Sequence, residues 1–300
     1  MKEDIKRQKR LRTIQTAVLI ALMGLFAALT GFKLIGFGGV LALLGAGAVL
    51  LLLTSRGASP AIPSGAIPLN RLNAGALVEI VSELSERAGL RRMPRLYLLP
   101  SPFLNAASTG GRESTSLVVT SATLEKLSRR ELVAVLAHEL SHIKNDDLSV
   151  FRFAESLRRV THFLSMFGWI MLLLYFPFLM GMQMVSLGFI LLLIAAPIAS
   201  LILQLALFRT REFNADLGAA EITGDPEGLA QALQKIDTID RGLLDYLLPI
   251  PRRETHALFR THPSTEERSR RLRSLRARHA GALKFSGGQP FGVGGHSEPA

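Results

Sequence analysis

The sequence contains no cysteine in its 300 residues. This absence excludes disulfide bonds, thiolate nucleophiles and cysteine-ligated metal sites. A metal site in this chain must therefore be built from His, Asp or Glu side chains.

Charged residues are almost missing from two long segments, 14–53 and 163–207, in which Lys33 is the only one. Hydrophobic residues make up 48% of the whole chain, and they are concentrated in these two segments. Such segregation of apolar and charged residues excludes an ordinary soluble globule.

Both apolar segments are long enough to cross a membrane twice, since one helical crossing takes about 20 apolar residues. Residues 13–30 and 34–53 predict one transmembrane hairpin, and residues 163–207 predict a second, with its turn near 181–187. A cleaved signal peptide is the alternative for the first hairpin, but no Ala-x-Ala-like site separates its two halves. We therefore expect a polytopic membrane protein with four transmembrane helices.

The basic residues predict the orientation. Six of the first twelve residues are Lys or Arg, whereas the loop after the first crossing contains only Lys33. Positive flanks stay in the cytoplasm, so the N-terminus and, after four crossings, both polar segments should be cytoplasmic. This indicates a multi-pass protein of the bacterial inner (plasma) membrane.

The predicted fold is mainly α with a small β-sheet, an α+β domain attached to the membrane helices. Residues 71–89 have helical spacing, 96–99 and 116–120 resemble short strands, and Thr109 to Gly111 resemble a turn. The predicted organisation is a basic N-terminus (1–12), hairpin 1 (13–53), a linker without regular structure (54–70), a first polar segment (71–162), hairpin 2 (163–207), a second polar segment (208–280) and a disordered tail (281–300).

One predicted helix carries the sequence His138-Glu139-Leu140-Ser141-His142. It begins with the capping box formed by Ser128 and Glu131. Residues four apart lie on one helical face, so both imidazoles can reach one ion, while Glu139 lies where it can take a proton from the attacking water. This spacing is typical of zinc hydrolases.

A catalytic zinc site usually has three protein ligands. Glu212 is the candidate for the third, because it directly follows the last apolar segment, and Asp216 one turn later could orient a ligand imidazole. By spacing alone, a solvated ion pair of Glu212 with the neighbouring arginines remains the alternative. Asp147, five residues after His142, could likewise support a ligand or mark a helix end.

Four motifs in the same order resemble the HtpX-type membrane-bound zinc endopeptidases, a family shared with the CAAX prenyl endopeptidases. They are Asn105-Ala106 with Thr109-Gly110, Ala-His-Glu-Leu-Ser-His at 137–142, Arg-Glu-Phe-Asn-Ala-Asp at 211–216, and Thr261-His262-Pro263. The similarity extends from residue 1 to about 275. It implies a zinc protease domain of the gluzincin type.

The resemblance also implies roles for individual residues. His138, His142 and Glu212 would bind one zinc ion, Glu139 would be the general base, and Asp216 would support the site. Asn105 and Ala106 would hold the substrate backbone as an added edge strand. His262 would stabilise the oxyanion, although a turn histidine before proline is an equal alternative, and Arg268 corresponds approximately to an arginine of the family.

The expected function is hydrolysis of peptide bonds in membrane proteins or unfolded polypeptides beside the lipid bilayer, in membrane-protein quality control and the stress response. Glu212 lies only five residues after Leu207, about 7–8 Å along a continuous helix, so the zinc should lie near the membrane surface. Processing of prenylated C-terminal peptides is the alternative. Nucleic-acid binding by the arginines of 268–278 is not expected, because few aromatic residues accompany them.

Overall fold

The computed structural model describes residues 2–38, 41, 45, 62–110, 114–181, 187–247 and 264–277. The helices in these ranges are α1 (Lys2–Ile35), α2 (Arg71–Ala88), α3 (Ser121–Lys126), α4 (Arg129–Lys144), α5 (Asp147–Gly181), α6 (Leu187–Thr223), α7 (Pro226–Leu247) and α8 (Thr265–Ala277). The strands are β1 (Ile67–Leu69), β2 (Arg95–Leu99), β3 (Ala106–Gly110) and β4 (Thr115–Thr120). The chain is mostly helical with a small sheet, as predicted.

Two of the described helices are long and apolar enough to cross a membrane, Arg10–Lys33 in α1 and Gly188–Thr223 in α6. Only 28% and 33% of their most apolar windows are buried in the protein, so most of their apolar surface faces outward. A core helix of a soluble domain would bury that surface. The second half of the predicted first hairpin and the turn at 182–186 lie mainly outside the described residues.

The sheet is mixed, with strand order β1-β2-β4-β3. Strand β2 is parallel to β4, while β1 and β3 run antiparallel to their neighbours. Strand β3 therefore lies at an edge of the sheet, where one side of its backbone pairs with none of the described strands.

Two details of the strand prediction were wrong. The stretch predicted as an irregular linker contains β1, because Ile67 to Leu69 pair with β2. Thr109 and Gly110, predicted as turn residues, end β3, and Gly110 pairs with Thr115. The turn begins at Gly110, whose φ of 108° suits only glycine and whose Cβ, if present, would collide with the Ser114 backbone.

One hydrophobic core joins the two polar segments that flank the second apolar segment. It contains Leu84 of α2, Leu136 of α4, Leu217 of α6, Leu229 of α7 and Leu272 of α8, all nearly or fully buried. Helix α4 lies at its centre, with Leu132, Leu136 and Leu140 completely buried. The His-Glu-x-x-His motif is therefore held by a rigid and well-packed helix.

Candidate metal centre

Helix α4 brings the two histidines of the motif together on its buried face. The Nε2 atoms of His138 and His142 are 3.2 Å apart, and the two rings are nearly perpendicular. Each residue is only 7% exposed. The pair thus supplies two side chains of a compact donor set in the domain.

Glu212 comes from α6 and completes this set. Its Oε2 lies 3.6 Å from His138 Nε2, and its Oε1 lies 3.6 Å from His142 Nε2. Glu212 is 5% exposed, and the neighbouring Arg211 pairs with Asp147 instead. A solvated ion pair, the alternative for Glu212, does not match this environment.

These three side chains fit a divalent metal ion. One donor atom from each of them lies within 4.8 Å of the other two. Ligand bonds of about 2.0–2.2 Å in a tetrahedral site place the donor atoms about 3.3–3.6 Å apart, close to the separations of 3.2–3.6 Å found here. Two imidazoles and a carboxylate are also the donor types that such an ion takes in the absence of thiolates.

The outward-facing nitrogen of His142 is held by a buried carboxylate. His142 Nδ1 lies 2.7 Å from Oδ2 of Asp147, which is completely buried. Arg211 pairs with the other oxygen of Asp147 and donates a hydrogen bond of 2.9 Å to the Asn145 carbonyl. This chain of contacts fixes the His142 ring so that Nε2 points toward Glu212.

His138 faces a second buried carboxylate, that of Asp216, whose Oδ1 lies 3.1 Å from His138 Nδ1. Arg268 of α8 donates two hydrogen bonds to Asp216, of 2.9 and 2.6 Å, and lies 3.2 Å from Glu212 Oε2. Burial lowers the pKa of His138, but the carboxylates of Asp216 and Glu212 outweigh burial and the Arg268 charge and raise it to about 9. In the metal-free protein His138 is therefore in its doubly protonated, positively charged form at neutral pH.

Glu139 points into a cleft of about 410 Å³ that also contains His138, His142 and Glu212. Its Oε2 accepts a hydrogen bond of 2.9 Å from the backbone N–H of Ser108 in the edge strand β3. An extended peptide added to this strand would pass beside Glu139. The cleft thus brings together a carboxylate, a group that could hold a metal ion and the edge of the described sheet.

Asn105 and Ala106 line the same cleft, as does Arg268. Ala106 begins β3. The backbone of Asn105 already forms hydrogen bonds within the protein: its N–H donates to Thr120 Oγ1, and its carbonyl accepts from the Thr120 N–H. Only the side chain of Asn105 is left for a substrate. His262 lies outside the described residues.

Three features of the site were missed in the sequence. They are the Ser108 N–H bound to Glu139, the pairing of Arg211 with Asp147, and the close packing of Gly218 on Ser141. The small residues Ala215, Gly218 and Ala219 repeat at helical spacing on α6 and were a signal for the last of these. The other two depend on contacts between elements that are distant in the chain.

The chain matches the model of peptidase family M48 over residues 71–276. It is 35% identical to a protease HtpX homolog of Acaryochloris marina over 281 residues, 87% of this chain and 94% of that protein. It is 34% identical to a protease HtpX homolog of Salinibacter ruber over 291 residues, 89% of this chain and 99% of that protein.

The crystal structure of S. mikatae Ste24p aligns with a TM-score of 0.45 and 17% identity, covering 90% of this chain and 66% of that one. The family model and the HtpX relatives cover the described metal centre and most of the chain. The chain therefore belongs to peptidase family M48 and is a membrane-bound metalloprotease of the HtpX type.

Proposed function

We propose that the chain is a zinc-dependent endopeptidase that cleaves membrane proteins at the cytoplasmic surface of the inner membrane. The proposal is supported by the arrangement of one cleft. Donor atoms of His138, His142 and Glu212 lie within 4.8 Å of one another in this cleft, beside Glu139 and the edge strand β3. Metal-dependent peptide hydrolysis uses a metal-binding group, a carboxylate base and a surface that holds the peptide.

His138, His142 and Glu212 would hold the zinc ion, which these nitrogen and oxygen donors suit well. When bound, zinc polarises the scissile carbonyl and lowers the pKa of water toward neutrality. Asp147 and Asp216 would keep the two imidazoles in the tautomer and orientation that binding requires.

Glu139 would act as the general base, taking a proton from the attacking water and later giving it to the leaving amine. The Ser108 N–H that now binds its Oε2 at 2.9 Å belongs to the strand expected to pair with the substrate. Base and peptide would therefore be aligned by one strand. Asn105, Ala106 and Arg268 would contact the substrate, and His262 would stabilise the oxyanion.

The position of Glu212 supports membrane-protein substrates. It lies on α6, which continues as one helix from the apolar segment to Thr223, so Glu212 is about 7–8 Å beyond Leu207 along the helix axis. An unfolded loop of a membrane protein would reach this level directly. Such loops are exposed in misfolded proteins, which is consistent with a role in quality control and the stress response.

The substrate class is tested with one cleavable loop in two settings. The loop is placed between two transmembrane helices of a reporter, or supplied as a free peptide, to full-length enzyme in liposomes. We expect the embedded loop to be cleaved at least roughly tenfold more efficiently, because both molecules share the membrane surface. Equal efficiency would contradict the membrane-surface proposal, and Glu139→Gln gives the background rate.

The proposed topology has four crossings with a cytoplasmic N-terminus and a cytoplasmic catalytic domain. Because the chain has no cysteine, single introduced cysteines report sidedness without background. Lys33→Cys should react with a membrane-impermeant maleimide from outside the cell, and Glu86→Cys, exposed on α2, should react only after lysis. The reverse pattern would invert the orientation.

A further inference from the structure

A second cavity, of about 520 Å³, lies where α1, α6 and α8 meet. Helix α1 contributes Gln8, Arg12 and Gln15, which lie on one helical face because of their spacing. Asp216, whose carboxylate contacts His138 in the metal centre, also lines this cavity. Neither the metal ligands nor Glu139 does, so this cavity is separate from the catalytic cleft.

The cavity is strongly cationic. The guanidinium of Arg271 lies 3.8 Å from the ring centre of Phe213, and that of Arg12 lies 4.8 Å from the same centre. Arg209 is a third arginine in the lining. The two guanidinium groups beside the Phe213 ring repel each other, and a bound anion would offset this electrostatic repulsion.

The acidic residues near Arg12 are paired with other arginines and attract it only at longer range. Asp216 is engaged by two hydrogen bonds from Arg268, and Arg271 pairs with Glu267 at 2.7 Å. Among the side chains that the structure describes, Arg12 forms no hydrogen bond or ion pair. The lining therefore combines three arginines and one carboxylate with the side-chain amides of Gln8 and Gln15, a set that suits a phosphate group.

The cavity lies at the level where the apolar parts of α1 and α6 end. Arg12 directly precedes the apolar residues 13–30, and Arg209 comes two residues after Leu207. The two helices run antiparallel, because Arg12 contacts Phe213 whereas Met23 clusters with Leu207. With α1 and α6 in a bilayer, both arginines would lie at the boundary between hydrocarbon and headgroups.

An exposed apolar stripe on α1 continues from the cavity along the membrane span. The stripe begins at Leu11, which lines the cavity, and its residues recur every three or four positions, so they share one face of the helix. They are Leu11, Ile14, Val18, Leu22, Leu25 and Leu29. An acyl chain attached to a bound headgroup could lie along this stripe. A free phosphate ion would make no use of it.

We propose that the cavity formed by Arg12, Arg209 and Arg271 binds the phosphate headgroup of an anionic membrane phospholipid. The guanidinium groups would bind the phosphate oxygens, and the acyl chains would follow α1. The site would tie the membrane helix α1 to α8, the helix that carries Arg268. This inference goes beyond the proposed function, since it requires a membrane but no hydrolytic reaction.

The test measures lipid binding to the full-length protein in a neutral detergent by native mass spectrometry. The probes are phosphatidylglycerol and phosphatidylcholine with identical acyl chains. We expect one phosphatidylglycerol to bind more tightly than phosphatidylcholine. Arg12→Gln and Arg271→Gln should each weaken its binding by about fivefold.

Matched controls separate a built site from diffuse attraction of charge. Arg10→Gln and Arg270→Gln remove the same charge from exposed positions of α1 and α8 outside the lining, and should leave the affinity unchanged. Arg12→Lys keeps the positive charge but loses the planar guanidinium group with its paired N–H donors, so it should weaken binding less than Arg12→Gln. Zinc content equal to wild type shows that each variant is folded.

Several outcomes would overturn the proposal. Equal binding of the two lipids, or equal losses in Arg10→Gln and Arg12→Gln, would show that the cavity does not recognise the headgroup. Displacement of phosphatidylglycerol by inorganic phosphate at the same concentration would identify a soluble anion as the ligand. If Arg12→Gln does not fold, unchanged affinity in Arg271→Gln and Arg12→Lys would contradict the site.

Discussion

Gly218 of α6 lies directly against Ser141 of α4, inside the turn that separates the two candidate histidine ligands. A Cβ on Gly218 would lie 2.8 Å from Ser141 Cβ and closer still to its Oγ, distances that real side chains do not tolerate. Because α4 carries His138 and His142 while α6 carries Glu212, the contact limits how far apart the helices with the three candidate metal ligands can lie without losing their packing.

Replacing Gly218 with alanine should push α4 and α6 apart and impair the metal centre. Overpacking of this kind costs about 1–3 kcal/mol of stability, and displaced ligands bind metal less tightly. We expect lower bound zinc and lower proteolysis, measured by metal analysis and a casein assay. Gly188→Ala, on the same helix with open space around it, should change neither.

A second substitution should reverse this effect. Ser141→Gly removes the side chain that an alanine at position 218 would strike, so the double variant should recover zinc binding relative to Gly218→Ala alone. Normal zinc content in Gly218→Ala would show that helix separation does not control the site.

Asp147→Asn should weaken metal binding without removing a ligand. It leaves the volume of the buried side chain intact but removes the charge that orients His142 and pairs with Arg211. Loss of such support typically lowers metal affinity by about 10–100-fold. Competition with a chromophoric chelator measures the change.

The neighbouring residue offers the matched control for this variant. Asp146→Asn makes the same chemical change at a residue with φ of 53°, a conformation that asparagine adopts readily. It should leave metal affinity within about twofold, because substitutions away from buried networks usually change free energies by no more than about 0.5 kcal/mol. Equal affinities in the two variants would contradict a specific role for Asp147.

Arg268 should matter most for stability of the metal-free protein. It is 8% exposed and lies between the carboxylates of Glu212 and Asp216, and Arg268→Gln removes the guanidinium that separates these two negative charges and leaves them to protonated His138. Breaking a buried ion pair in this way costs about 3–5 kcal/mol. Thermal unfolding in detergent with EDTA should show a large drop for Arg268→Gln and almost none for the exposed control Arg270→Gln.

Metal uptake should depend on pH well into the alkaline range. The carboxylates of Asp216 and Glu212 raise the pKa of His138 to about 9, from an ordinary value of 6.5, so zinc must displace a proton at any lower pH. Apparent affinity should therefore rise by about tenfold per pH unit between pH 7 and pH 8.5. Affinity that is constant above pH 7 would indicate an ordinary histidine.

The long helices and the helix with the motif could be predicted, because their signals are local. Apolar segments, the capping box at Ser128 and the spacing of His138 and His142 each lie within one element. Strand β3 could not, since Ala106 to Gly110 contain small and polar residues without the alternation typical of strands. It is a strand because β4 supplies its hydrogen-bonding partner.

Glu212 and Asp216 could be predicted as site residues only by their distance from the apolar segment and by the resemblance to a family. The pairing of Arg268 with Asp216, 52 residues apart, depends on how α8 packs on α6. The role of Gly218 depends on the packing of two helices 77 residues apart in sequence. Such contacts leave no local pattern in one sequence.

The most direct test of the account compares Glu139→Gln, Glu212→Gln and the exposed control Glu125→Gln in full-length enzyme purified in detergent. Zinc content and casein cleavage are measured on the same samples. Glu139→Gln should keep its zinc but lose activity by at least about a hundredfold, Glu212→Gln should lose both, and Glu125→Gln should lose neither. Full activity in Glu139→Gln, or normal zinc content in Glu212→Gln, would contradict the account.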